Sequence, residues 1–187
     1  MNLNLTMEEV MAEISIRPLE LGDLKDLEWE GEYKHFRLIY QNTYRRCLEG
    51  KALSWVAVHA SKGLVGQVFM QLECDRLELA DGKNRAYMFS FRVKPEYRNL
   101  GLGSQMLELL EWEIASRGFK IITLNVAREN SGALRLYGRH GYKVVAADPG
   151  RWSYPDEKGC WHEVEEPSWR MEKEIRPSLL VKNNAFI

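Results

Sequence analysis

The stretch Tyr97–Gly118, YRNLGLGSQMLELLEWEIASRG, decides how the rest of the chain is read. It opens on Arg98, sets Gly101 and Gly103 two apart, and then turns amphipathic, with Met106, Leu107, Leu110 and Ile114 on one stripe. Upstream, AYMFSFRV (86–93) has the aromatic alternation of a strand and is closed by Pro95. Glycine at a strand-to-helix junction costs backbone entropy, so it is expected where the main chain must let something come close. A helix start carries unpaired N–H groups and a partial positive charge, which together attract anions. Arg98 adds a charged fork and Ser104 a hydroxyl. The junction therefore suits a diphosphate, with a tight packing turn and a solvated arginine as the plainer alternative. The dinucleotide fingerprint would need a third glycine where Met106 stands, and there is no Gly-Lys-Ser or Gly-Lys-Thr of a Walker loop.

Working outward, EISIRP (13–18) alternates as a strand, and Asp23 is placed to cap a helix carrying Leu24 and Leu27. A second helix carries Phe36, Ile39 or Tyr40, Thr43 and Cys47 at helical spacing and stops at Gly50. SWVAVHA and LVGQVFMQLE, separated by SKG, read as a hairpin. After the central helix, which ends at Arg117 and Gly118, KIITLNV (120–126) is a strand. NSGALRLYGRHGY (130–142) is a short helix capped by Asn130 or Ser131 and stopped by Gly141. KVVAA and SWRMEKEI are two final strands, joined by a long segment from Asp148 to Pro167 that is expected to be a loop. A strand–helix–strand–helix centre with hairpins at both ends implies a mixed α/β sheet covered by helices. No repeat or linker is visible, so a loose arm (1–12), a single domain (13–176) and an unpatterned tail (177–187) are expected.

At 187 residues there is room for a substantial core, and 45% hydrophobic with 28% charged residues is an ordinary globular composition. A net charge of -1 provides no field for a nucleic-acid backbone. No apolar run is long enough to span a membrane, and the N-terminal residues lack the pattern of a secretory signal. Cys47, Cys74 and Cys160 are odd in number and far apart, so neither a disulfide framework nor a metal-ligand pair is expected, and the setting is read as cytoplasmic.

VKPEYRNLGLGSQML (93–107) resembles the acetyl-CoA-binding motif, R/Q-x-x-G-x-G/A, of the GNAT superfamily of N-acetyltransferases. The stretch Asn130–Tyr142 resembles its second signature, N-x-x-A-x-x-x-Y followed by glycine and an aromatic, at the matching distance. The resemblance implies a mixed, mostly antiparallel sheet of about seven strands with four helices and splayed central strands. It implies that Arg98, Asn99, Leu100, Gly101, Leu102, Gly103 and Ser104 hold the pyrophosphate of coenzyme A. It assigns the backbone of Phe91, Arg92 and Val93 to the pantetheine arm, and gives Asn130 and Tyr137 cofactor contacts. Tyr137 would also act as the acid that serves the leaving thiolate; from periodicity alone it is a core aromatic.

The activity implied is direct acetyl transfer from acetyl-CoA to a primary amine of a small molecule or protein. A lysine-like ammonium has a pKa of about 10.4, so exposing its lone pair near neutrality costs about 4.6 kcal/mol. Orienting two bound reactants contributes about 7–11 kcal/mol, so placement is the larger effect. Several relatives carry a glutamate or histidine on the fourth strand, where Tyr87 and Phe89 stand here, and others a glutamate on the next strand, where Asn125 stands. Asn125 is a candidate to hold a water or the acceptor, and Glu73 is a candidate base that also reads as a solvated carboxylate. The missing acids motivate an alternative, a non-catalytic acyl-CoA-binding or regulatory module. A third reading is a different phosphate-ligand protein using the same helix start. Between Asp148 and Glu166 stand six acids and two bases, with Trp152, Tyr154 and Trp161 among them and Trp169 nearby. Such a loop either receives a cationic amine or is a solvated hairpin whose tryptophans pack on the sheet or on a second subunit of a homodimer.

Overall fold

The computed structural model describes residues 7–176, so the tail expected from 177 lies outside the described residues. Where a loose arm was expected, Met7–Ala12 forms a short helix, α1. The strands are β1 (Ile14–Pro18), β2 (Ala52–His59), β3 (Gly63–Gln71), β4 (Arg85–Val93), β5 (Ile121–Ala127), β6 (Lys143–Asp148), β7 (Arg151–Pro155), β8 (Trp161–Glu165) and β9 (Ser168–Glu174). The remaining α-helices are α2 (Arg37–Leu48), α3 (Leu102–Ser116) and α4 (Ser131–Arg139). Seven strands form one sheet in the order β1-β2-β3-β4-β5-β9-β6, and β7 and β8 form a separate pair. Among the described residues no helix is long and apolar enough to cross a membrane.

The chain divides into two compact units. The first takes residues up to Phe69, Ser90–Met106 and Tyr154–His162; the second takes Met70–Phe89, Leu107–Ser153 and the residues from Glu163. The chain passes between them inside β3, β4, α3, β7 and β8 rather than through linkers, which is why no boundary shows in the composition.

In the first unit β1 runs antiparallel to β2, from Ile14 opposite His59 to Pro18 opposite Trp55. The segment expected to be a helix from Asp23 is instead 3-10 helical over Leu21–Gly31. Asp23 reaches back to the Glu20 amide (2.8 Å) and takes the Arg17 fork (2.7 and 2.9 Å). Trp29 and Glu30 adopt left-handed backbone angles, φ 44° and 55°, which breaks the helix there. Buried Glu28 then grips Arg37 with both oxygens and ties this segment to the start of α2. In β3, Leu64–Met70 are all buried, as in a strand covered on both faces. A Cβ on Gly66 would meet Met106 Sδ at 3.1 Å and the Arg92 carbonyl at 3.4 Å, so this glycine lets the first turn of α3 settle on β3.

In the second unit β4 pairs parallel with β5 from Arg85–Ile121 to Met88–Leu124. The register stops there although both strands continue, and two residues later Ser90 takes φ 51°, a bulge-like break in β4. β9 pairs antiparallel with β5 along its length and with β6 across an irregularity between Val144 and Ala146. The buried stripe of α3 includes the expected Leu107, Leu110 and Ile114. It also buries Glu111, whose carboxylate meets Lys173 Nζ at 2.6 Å. The segment expected to be a loop after β6 contains the β7–β8 hairpin, turned at Asp156–Cys160.

Candidate active site

The turn after β4 lies wholly in the first unit. Lys94 donates its amide to Val65 (2.8 Å), and Pro95–Tyr97 make one 3-10 turn that points the chain at α3. Asn99 and Gly101 both adopt left-handed angles, φ 61° and 93°. No atom lies within 4 Å of where a Cβ would stand on Gly101, so the main chain is open to an incoming group. Leu102 is fully buried and contributes only its backbone to that open side. The start of a helix presents backbone N–H groups that suit an anion. Arg98 Nε donates to the Val93 carbonyl (2.8 Å), which fixes the guanidinium beside the turn and leaves its terminal nitrogens as the remaining donors. It also occupies the Val93 carbonyl, so a strand-like partner at that residue is left the N–H. These features fit a nucleotide diphosphate: open left-handed backbone, successive amides and one anchored arginine.

The residues expected to do chemistry belong to the second unit. Asn130 caps α4, its Oδ1 accepting from the Ala133 amide (3.0 Å), so only its amide nitrogen remains for a cofactor. Tyr137 is buried, and its ring lies 5.7 Å from that of Tyr142. Burial raises the Tyr137 phenol well above its ordinary pKa, and nearby Tyr87 adds to the shift. Tyr87 stacks on Phe89 at 6.1 Å, and burial pushes its own pKa up to about 12. Asn125 lies on the neighbouring strand with Oδ1 buried and without a partner.

The sequence reading missed the group beside Asn125. Asp148, at the end of β6, lies within hydrogen-bond reach of Asn125, takes Arg76 at 2.6 Å and accepts the Gly150 amide at 2.8 Å. Burial alone would raise the Asp148 carboxyl, but these donors outweigh it and hold it below its ordinary value. Asn125 is the smallest of the influences that lower Asp148, and its own Oδ1 has no hydrogen-bond partner. The only sequence signal was an acid followed by Pro-Gly at a strand end, which reads equally well as a turn. Glu73 differs from these residues in being exposed, and it packs against Gly82 in the approach to β4.

The acids of the Asp148–Glu166 segment are largely paired. Asp148 has Arg76, Glu157 lies 3.8 Å from Lys34, and Glu165 lies 3.4 Å from Arg151. His162 and two backbone amides hold Asp156 at a pKa of about 2. Trp169 lies under Arg128 at 4.5 Å, whereas Trp152 and Trp161 are 41% and 71% exposed, off the sheet.

Residues 19–142 match the family described as acetyltransferase (GNAT). The ribosomal protein bS18-alanine N-acetyltransferase of Escherichia coli is 36% identical over 59 residues, 32% of this chain and 40% of the relative. The chain thus spans about 40% of the length of the curated relatives it matches. The crystal structure of the E. coli ribosomal-protein-S18-alanine N-acetyltransferase has a TM-score of 0.61 at 21% identity, covering 93% of this chain and 99% of that one. The spermidine N-acetyltransferase of Vibrio cholerae, solved in complex with CoA and spermine, has a TM-score of 0.62 at 18% identity, covering 88% and 96%. At these identities the structural likeness is one of fold. The left-handed turn into α3, the Asn130-capped α4 and the family match over both of them agree: the chain belongs to the acetyltransferase (GNAT) family.

Proposed function

We propose that this chain transfers an acetyl group directly from acetyl-CoA to a primary amine of a small molecule or a protein. The observation that supports this most is the open left-handed turn at Asn99–Gly101, with Arg98 anchored on Val93, at the start of α3. Acetyl-CoA, when bound, supplies the activated acetyl carbon and a thiolate leaving group. The amides of Asn99–Ser104 and the terminal nitrogens of Arg98 hold the pyrophosphate, and the backbone of Phe91–Val93 takes the pantetheine arm as an added strand would.

In this reading Asn125 Oδ1 accepts an N–H from the incoming amine and aims its lone pair. Proton release goes to solvent, since Glu73 is exposed and offers no enclosed carboxylate. Tyr137 keeps its proton throughout the neutral range because burial raises its pKa. A phenol at or above about 10 is a weaker acid than a thiol near 8.5, so complete proton transfer to the thiolate is uphill by about 2 kcal/mol or more. Tyr137 therefore serves by donating a hydrogen bond to sulfur as charge develops, not by giving up its proton first.

Thiol release from acetyl-CoA with a panel of small amines and peptides tests the proposal. Saturable release that requires an amine is expected. Tight coenzyme A binding without release for any amine would overturn it.

A further inference from the structure

Arg92 stands apart from the cations around it. In the first unit Lys94 meets Glu30 at 3.0 Å, Arg37 is forked on Glu28, and Lys34 faces Glu157. Among the described residues no carboxylate pairs with half-buried Arg92. Its guanidinium lies 4.2 Å from the centre of the Tyr33 ring and 5.3 Å from that of Phe36. Nη1 donates to the Tyr40 hydroxyl (3.2 Å) and to Ser90 Oγ (3.0 Å). That leaves Nε and Nη2, the edge of the guanidinium whose two parallel donors match a carboxylate.

A second, independent observation comes from Gln67, which is completely buried. Its Nε2 donates to Ser90 Oγ (3.2 Å), while its Oε1 is buried with no partner. A buried acceptor without a donor is costly and calls for an N–H. The cation without an anion and the acceptor without a donor thus share one hydroxyl, that of Ser90. Two unusual backbone features converge on the same place. Ser90 itself has φ 51°, and the left-handed Trp29 and Glu30 precede Tyr33 by one turn, with the Trp29 and Tyr33 rings 5.3 Å apart. Strain of this kind persists where the surroundings hold it, and it gathers at ligand sites. The hairpin tip adds the outer wall, with Tyr154 4.9 Å from Phe36 and His162 stacked on Tyr154 at 5.3 Å.

We infer that Arg92 and Gln67, with the hydroxyls of Tyr40 and Ser90, select an acceptor amine that also carries a carboxylate. The Nε–Nη2 edge of Arg92 takes the carboxylate, and Gln67 Oε1 takes an N–H of the same molecule. Arg92 sits between Phe91 and Val93, the residues assigned to the pantetheine arm, so the carboxylate is anchored one side chain away from the acetyl donor's path. This inference rests on the acetyl-transfer reading and narrows its acceptor to amino acids and acidic peptides, in contrast to a polyamine.

The test compares amino acids with their carboxamides, which lack the anion and have a more acidic ammonium, so the N-acetylated pair, which has no basic amine, isolates the anion. In the thiol-release assay the acids are expected to be preferred by about tenfold or more in kcat/KM, the usual size of a charge-assisted bond. Calorimetry of N-acetyl amino acids and N-acetyl amino amides should show the same preference in Kd without any turnover. Arg92→Gln should bring both ratios to about one, and Arg92→Lys, which keeps the charge but lacks the fork, should fall between. Equal use and equal binding of acids and amides by the unaltered protein would overturn the inference, and that comparison needs no variant to fold. Preference retained in Arg92→Gln would also overturn it. Should no amine turn over, an acid preference in binding that Arg92→Gln abolishes would sustain this site while the acetyl-transfer reading fails.

Discussion

Gly101 and Gly118 make a matched pair. Both have left-handed angles, φ 93° and 88°, and neither has an atom within 4 Å of its missing Cβ. One precedes α3 at the turn proposed to hold the diphosphate, and the other follows the helix's last residues. Replacing either with alanine forces an L side chain into the left-handed region, at a cost of about 1–2 kcal/mol. For a chain of this size that lowers Tm by about 2–8 °C. The two variants should therefore lose similar stability in a thermal melt. They should differ in coenzyme A affinity. A methyl on Gly101 stands in the open space from which the diphosphate approaches, and losing one or two backbone bonds to an anion weakens binding by about 10–100-fold. Gly118→Ala should keep the affinity of the unaltered protein. Calorimetric titration of coenzyme A into all three proteins reads the difference. Equal affinities for Gly101→Ala and Gly118→Ala, with equal Tm losses, would refute the reasoning.

Tyr137→Phe removes the bond to developing thiolate charge and should lower kcat by about 10–100-fold, with coenzyme A affinity nearly unchanged. Because burial raises the Tyr137 phenol, kcat should show no fall from its ionisation between about pH 8 and 10. Asp148→Asn breaks the Arg76 pair at a side chain only 5% exposed and should cost about 1–3 kcal/mol in a urea melt at neutral pH. The folded Asp148 carboxyl lies below its unfolded value, so its contribution is present above about pH 3.9 and is lost as pH falls through the folded pKa; the variant should lack that part of the acid limb. At Gly150, φ 68°, a Cβ would run into the carbonyl of Glu166, so Gly150→Ala should destabilise by about 3 kcal/mol or more, seen as a large Tm loss.

The turn into α3 and the cap of α4 were legible because their signals are local. Arg98, Gly101 and Gly103 sit within one turn of each other, and Asn130 caps the helix that Ala133 and Tyr137 belong to. Strand identity was legible wherever burial alternates or runs continuously, as in β1 and β3. The break at Trp29–Glu30 was not legible, because bulky and charged residues give no sign of left-handed backbone; only Gly31 beside them does. Ser90 is hidden for the same reason. The β7–β8 hairpin is only partly legible: Trp152 and Tyr154 alternate with polar neighbours and Asp156–Gly159 carries turn residues, but each strand is only five residues long. The influence of Asn125 and Arg76 on Asp148, and the setting of Arg92 among Tyr33, Tyr40 and Ser90, depend on residues distant in sequence, which no local spacing encodes.

Backbone amide shifts followed by NMR during titration with coenzyme A test the grip of the turn most directly. Saturable shifts at Asn99–Ser104, together with perturbation of the Arg98 side chain, are expected. Saturation with those amides unmoved, and the shifts gathered elsewhere on the chain, would contradict it.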